Sequence, residues 1–139
     1  MKPLLLALLI LFSWPAAADA TLEGPVTHVR DGDTIEVSRI PIRFNGVSAP
    51  ELDEHLGQAS KAFMIDLVNK KRVHCELNGE KTYDRFVGVC YLDDQDIGAA
   101  VIKAGLALDC PRFSGGRYRE FETVEARQRI KLPGYCRAK

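Results

Sequence analysis

Four side chains near the start of the chain carry the parts of a phosphate-handling site. Asp31 and Asp33 flank Gly32 in the run Arg30-Asp31-Gly32-Asp33-Thr34, Arg43 lies in Ile42-Arg43-Phe44, and Glu51 closes Ala49-Pro50-Glu51. Carboxylates are hard oxygen ligands for a divalent cation. A guanidinium fork matches two oxygens of a phosphate group. A further carboxylate beside a bound water can take its proton. Together these are the components of metal-assisted phosphate chemistry. Each also has a plainer reading: an Asp-Gly turn, a surface strand arginine, a loop acid.

Short strands and turns must bring these groups together. Asp-Gly is a turn signal, because glycine accepts positive φ without a steric penalty. Ile35 and Val37, then Ile40, Ile42 and Phe44, recur with a period of two. That pattern predicts two half-buried strands around a turn near Ser38-Arg39, with Arg43 on the face opposite Ile42 and Phe44. Asp31, Asp33, Arg43 and Glu51 then sit at or near strand ends. A strand over residues 24–29 precedes this hairpin, with Pro25 tolerated at an edge or strand start. Residues 52–56 form a polar loop. Ala59, Ala62, Phe63, Leu67 and Val68 mark one face of a helix over residues 58–69. Strands follow over residues 72–77 and 86–91; Val73, Cys75 and Leu77 point inward in the first, and the core face of the second is undecided.

Asp93 to Asp96 reads as a turn, with Asp96 capping a helix over residues 97–104 that Gly105 ends. Residues 106–108 are extended and 111–116 form a loop. A third helix is expected over residues 118–131, with a thin apolar face of Phe121, Val124 and Ile130, ended by Pro133-Gly134. Short strands with a few helices fit an α+β fold, a small closed sheet with helices against it.

Here the motifs become specific. Asp31-Gly32-Asp33-Thr34-Ile35, then Ile42-Arg43-Phe44-Asn45-Gly46-Val47 and Ala49-Pro50-Glu51, resembles the staphylococcal (micrococcal) nuclease family, also called thermonuclease-like. The match continues through Gly57-Gln58-Ala59, Tyr83-Asp84-Arg85, Asp96-Ile97 and Lys103-Ala104-Gly105-Leu106-Ala107, covering roughly residues 24–132. The resemblance implies a five-stranded OB-fold barrel with two to three packed helices, and hydrolysis of DNA or RNA. It implies a Ca2+ ion held by Asp33, with Asp31 as a supporting acid and the Ala49 carbonyl as a ligand. It implies Arg43 and Arg85 on the phosphate and Glu51 as general base toward a water. Tyr83 then lies near the bound phosphate, and Phe113 falls where the family stacks an aromatic on a base.

The chain departs from the family at several positions. Ser48 stands where the family has a second calcium-ligating aspartate. Asp84 sits beside a phosphate arginine, Lys81 replaces an acid before the tyrosine, and Pro111 replaces a base-contacting tyrosine. Ca2+ affinity follows the charge of its oxygen ligands, so Ser48 implies a weaker ion. OB-folds also bind oligonucleotides and oligosaccharides without catalysis. The alternative function is therefore a non-catalytic binding or accessory protein of the cell envelope, related to nucleic acid or exopolysaccharide.

Length allows a single domain among the 139 residues. Lys2, the apolar run from Leu4 to Trp14, and Ala18-Asp19-Ala20 predict a secretory signal peptide over residues 1–20. The apolar run is shorter than the ~20 residues a spanning helix needs. The remaining 21–139 are expected to be a soluble, monomeric, secreted or periplasmic domain. Overall charge is balanced, with 19 basic and 19 acidic residues. Residues 21–60 nevertheless carry seven acids against three arginines, and residues 111–139 carry eight Lys/Arg against three Glu. An acidic site beside a basic tail suits a cation next to a polyanion; a basic tail also suits a solvated helix. The four cysteines, Cys75, Cys90, Cys110 and Cys136, favour disulfides in an exported chain and lack zinc-ligand spacing. Three pairings are possible. Cys75 and Cys90 flank a short connection around Asn78-Gly79, which favours Cys75–Cys90 and leaves Cys110–Cys136; buried free thiols are the other reading.

Overall fold

The structure is a computed structural model that describes residues 20–138. The expected signal peptide lies outside the described residues, apart from Ala20. Five strands make the body: β1 (Ala20–Asp31), β2 (Thr34–Val37), β3 (Ile40–Phe44), β5 (Arg72–Thr82) and β6 (Arg85–Leu92). They run in the order β3-β2-β1-β5-β6, and a parallel pairing of β3 with β6 closes the ring. The ring has the strand number and closure expected of a small barrel. Short strand β4 (Val47–Ser48) pairs with β8 (Leu108–Asp109), and β7 (Gln95–Asp96) pairs antiparallel with the end of β6.

The β2–β3 hairpin turns at Ser38-Arg39, with φ of 50° and 68°. Two residues at positive φ match the right-handed twist of the flanking strands. The turn sets Thr34 opposite Arg43 and Ile35 opposite Ile42. Ile35, Val37, Ile42 and Phe44 enter the core, as the alternation predicts, but Ile40, beside the turn, is exposed; Arg43 faces away from the core residues.

The connection between β5 and β6 differs from the expectation. Strand β5 continues past Asn78-Gly79 and turns at Tyr83-Asp84, with Thr82 opposite Arg85. Asn78 to Glu80 are taken up in a bulge between the Leu77 and Lys81 pairings, and Gly79 has φ of 84°. Cys75 and Cys90 are still directly opposite and bonded, and Cys110 is bonded to Cys136. On β6, Phe86, Gly88 and Cys90 face the core.

The helices correct several sequence expectations. Helix α1 (Gly57–Val68) buries Gly57, Ser60, Met64 and Val68, while Ala59 and Ala62 are exposed. The reason is close backbone approach. A Cβ on Gly57 would run into the Glu51 carbonyl, and one on Gly32 would run into Ser60. Those contacts fix the helix rotation more strongly than its apolar content does. The expected loop over residues 111–116 contains a one-turn helix, α3 (Pro111–Ser114).

The expected third helix is broken into a 3-10 turn, Arg119–Phe121, and α4 (Val124–Arg129). Thr123 sits between them in an extended conformation and accepts from the Ala126 N–H, so it caps a new helix rather than continuing an old one. Val124, read as core, is 62% exposed; Tyr118 and Ala126 are buried instead. A last 3-10 turn covers Gly134–Cys136. No helix among the described residues is long and apolar enough to cross a membrane.

Asp96 does cap α2 (Ile97–Lys103), accepting from the Ala99 N–H at 3.1 Å. Its other oxygen accepts from the Tyr118 hydroxyl at 2.9 Å and from Arg117 at 3.0 Å. Burial, and then the Asp96 charge, hold the Tyr118 hydroxyl well above its usual pKa, so it stays a donor. Asp96→Ala is therefore expected to cost about 2–4 kcal/mol, combining a lost cap with a stranded buried hydroxyl. Urea unfolding of the variant measures it; a loss below ~1 kcal/mol would show that the cluster is dispensable.

Candidate active site

The barrel closure brings the turn after β1, the β3 strand and the β5–β6 turn to one side of the molecule. A cavity of about 750 Å3 opens there, lined by Asp31, Asp33, Arg43, Glu51 and Arg85 among others. Tyr83 and Phe113 also border it. Ala49 does not; its N–H donates to Asp33 from behind at 2.8 Å.

Arg43 is held by its surroundings. Nη1 donates to the carbonyls of Phe44 (3.0 Å) and Val47 (2.6 Å), and Nη2 lies 3.3 Å from Asp33 Oδ2. Asp33 is buried and its two oxygens accept from Thr34 and Ala49. Asp31 accepts from the Asp33 N–H at 3.0 Å, which shapes the Asp-Gly turn. Burial pushes the Asp33 carboxyl up to about 7, against the pull of Arg43, and the neighbouring Asp31 adds to the rise.

Arg85 is held more loosely. It donates to Thr34 Oγ1 at 3.3 Å, the Thr82 carbonyl at 3.3 Å and Thr82 Oγ1 at 3.5 Å, all at the long end of the hydrogen-bond range. No carboxylate pairs with it among the described residues. The Thr34 hydroxyl therefore accepts from Arg85 and donates to Asp33, which in turn faces Arg43. One buried threonine links the two guanidinium groups. Thr34 closes the Asp31-Gly32-Asp33-Thr34 motif, where its residue type alone points to no role. The two-residue hairpin turn was the available signal, because it sets position 34 opposite Arg43.

Asp84 does not compete for Arg85. Arg30 forks onto both of its oxygens at 3.1 and 2.8 Å, and also bonds Glu36 at 2.8 Å. The Arg30 bonds hold the Asp84 carboxyl below its usual range, and those from Asp84 and then Glu36 hold Arg30 above its own. The ion pair clamps the β5–β6 turn, where Tyr83 sits at φ of 57° and 94% exposed. Glu51 is exposed at the rim; its N–H donates to Glu54 at 2.9 Å.

Residues 41–131 match the family described as staphylococcal nuclease homologue. The chain belongs to this family. It is 33% identical over 133 residues to a protein of Escherichia coli O157:H7 named an uncharacterized endonuclease, covering 92% of this chain and 86% of that one. It is 29% identical over 143 residues to a Shigella flexneri protein named micrococcal nuclease, covering 91% and 80%. It is 32% identical over 121 residues to the succinoglycan biosynthesis protein ExoI of Rhizobium meliloti, covering 78% and 63%. The closed five-stranded ring with packed helices is the OB-fold of the family.

In this staphylococcal nuclease homologue Ser48 adds nothing to the acidic lining of the cleft. Ser48 is buried in the β4–β8 ladder and does not line the cavity. Among the described residues no group of three or more His, Cys, Asp or Glu side chains is arranged to hold a metal ion. Four carboxylates line the cavity, Asp31, Asp33, Glu51 and Glu80, and of these Asp33 faces Arg43.

Proposed function

We propose that this protein is an exported, monomeric phosphodiesterase that cleaves DNA or RNA, assisted by a weakly held divalent cation. The observation that carries the reading is the pairing of Arg43 and Arg85 through Thr34 and Asp33, on a cleft that also holds Glu51. A phosphodiester in the cleft would draw Arg85 off its long bonds to Thr34 and Thr82. Arg43 would meet the other phosphoryl oxygen from an orientation set by two backbone carbonyls. Both charges would then be aimed at the oxygens where negative charge grows. Glu51, exposed and without a cationic partner among the described residues, would take the proton of the attacking water.

The donor chemistry fits a hard cation such as Ca2+. Asp31 and Asp33 are neighbouring carboxylates whose mutual repulsion a cation would relieve, and waters would complete the ligands. Such an ion supplies positive charge and polarises a phosphoryl oxygen. Export is supported by the signal-like residues 1–20 and by two disulfides, which persist in oxidising compartments.

The direct test is digestion of single-stranded DNA by the purified 21–139 domain with Ca2+, Mn2+ or EDTA. Cleavage that EDTA abolishes is the expected result. The binding or accessory reading is favoured by Ser48 and by the relative named for succinoglycan biosynthesis. Absence of cleavage under every ion, with polyanion or saccharide binding retained, would establish that reading instead.

The cation has its own test. Ser48→Asp places a carboxylate in a buried position next to Ala49, whose N–H bonds Asp33, so without an ion it is expected to lower the melting temperature. Added Ca2+ should then raise the melting temperature of the variant more than that of the wild type, and calorimetry should show tighter binding. Equal or weaker binding by Ser48→Asp would place the ion elsewhere.

A further inference from the structure

Tyr135 borders the same cavity as Arg43, Glu51 and Arg85, and no family motif pointed to it. It is 53% exposed, a high value for a large aromatic in a folded domain, and it sits between Gly134 and the fully buried Cys136. The short 3-10 turn Gly134–Cys136 follows Pro133 and has no side-chain cap. Its anchor is the Cys110–Cys136 disulfide, which joins it to the residue immediately before α3.

Helix α3 is in turn docked on the barrel. The Cys110 N–H donates to the Gly46 carbonyl at 2.8 Å, and Asn45 Nδ2 donates to the Phe113 carbonyl at 3.3 Å. Gly46 has φ of 72°, and a Cβ there would meet the Ser114 backbone at 2.7 Å, so the β3–β4 turn and α3 pass in direct contact. The chain of contacts runs from the barrel through α3 and the disulfide to Tyr135.

We propose that Tyr135 is a further substrate-binding residue that stacks on a base of single-stranded nucleic acid, and that the Cys110–Cys136 disulfide is its positioning device. This rests on the phosphodiesterase reading and names the substrate form that the site takes. An exposed phenol ring offers a flat, sequence-tolerant platform to any base. Phe113, 47% exposed, lines the same cavity. Two aromatics from disulfide-linked segments make a wall next to the two arginines, which is the combination of stacking surface and phosphate-binding charge that single strands need. The excess of Lys and Arg over residues 111–139 adds attraction for the strand.

The experiment measures binding of a fluorescent single-stranded oligonucleotide by anisotropy, and cleavage of that oligonucleotide and of bis-p-nitrophenyl phosphate, a diester with no base. Tyr135→Ala is expected to weaken oligonucleotide binding about tenfold and raise KM with little change in kcat. Cleavage of the base-free diester should be unchanged. Tyr135→Phe should behave as wild type, because stacking does not need the hydroxyl. Cys110→Ala/Cys136→Ala should reproduce the Tyr135→Ala loss of binding while Tyr135 is intact. Wild-type affinity in Tyr135→Ala, with wild-type protein cleaving both substrates, overturns this inference alone. Equal losses on both substrates overturn it too, since they assign Tyr135 to the phosphate site. Wild-type protein that neither cleaves nor binds removes the phosphodiesterase reading and this inference with it.

Discussion

Glu51→Gln is expected to leave fold and nucleotide binding intact and to slow cleavage by roughly 10²-fold or more, the scale of a lost general base. Backbone contacts fix the position of Glu51. Its N–H donates to the Glu54 carboxylate, its carbonyl accepts from the Glu54 N–H at 2.9 Å, and Gly57 packs against that carbonyl. The amide side chain therefore takes the place of the acid without moving the loop. Arg43→Lys should be at least as severe, with a barrier rise of about 3–4 kcal/mol, because an ammonium cannot reproduce the fork. Arg43 also binds the Phe44 and Val47 carbonyls and faces Asp33, so this variant should lose some stability as well. Single-turnover cleavage alongside thermal unfolding separates the two effects. Wild-type rates in both variants would trace the activity to a contaminating nuclease.

Reducing the two disulfides is expected to lower the melting temperature on the order of 10 °C or more. Bonds closing loops of this length are worth about 3 kcal/mol each, and about 1 kcal/mol shifts a domain of this size by several degrees. Cys75–Cys90 spans 15 residues and Cys110–Cys136 spans 26. All four cysteines are buried, although Cys110 borders the cavity, so Cys75–Cys90 should be the slower of the two to reduce in the folded protein. Non-reducing peptide mapping should recover those two linkages and no free thiol. Recovery of Cys75 joined to Cys110 would contradict the pairing. The two bonds should differ in consequence. Removing Cys75–Cys90 leaves a β5–β6 ladder that is still hydrogen-bonded on either side, so its loss is one of stability. Removing Cys110–Cys136 also frees the turn that carries Tyr135.

Local physics made much of this molecule legible from its residues alone. The Ile35–Phe44 alternation specified a hairpin and put Arg43 on the face away from the core. Asp96 declared a helix start and Gly105 its end. Asp-Gly-Asp-Thr, Ala-Pro-Glu and Tyr-Asp-Arg, in order, pointed to one family and named the groups that the barrel gathers around one cavity. Each of these signals acts over a few residues, where chain geometry alone sets the outcome. What the sequence left open depended on partners far along the chain. The face of α1 was decided by Gly57 against Glu51 and Ser60 against Gly32, not by Ala59 and Ala62. The long third helix gave way to a Thr123 cap once Tyr118 was drawn to Asp96. Asp84, an acid beside Arg85 in sequence, is taken by Arg30 across 54 residues. The Thr34 link between the arginines and the entry of Tyr135 into the cleft arise only when β3 meets β6 and a disulfide folds the last segment back. Sequence neighbours set which groups are present; barrel closure sets which of them face each other, because pairing energy between distant strands is absent until the ring is made.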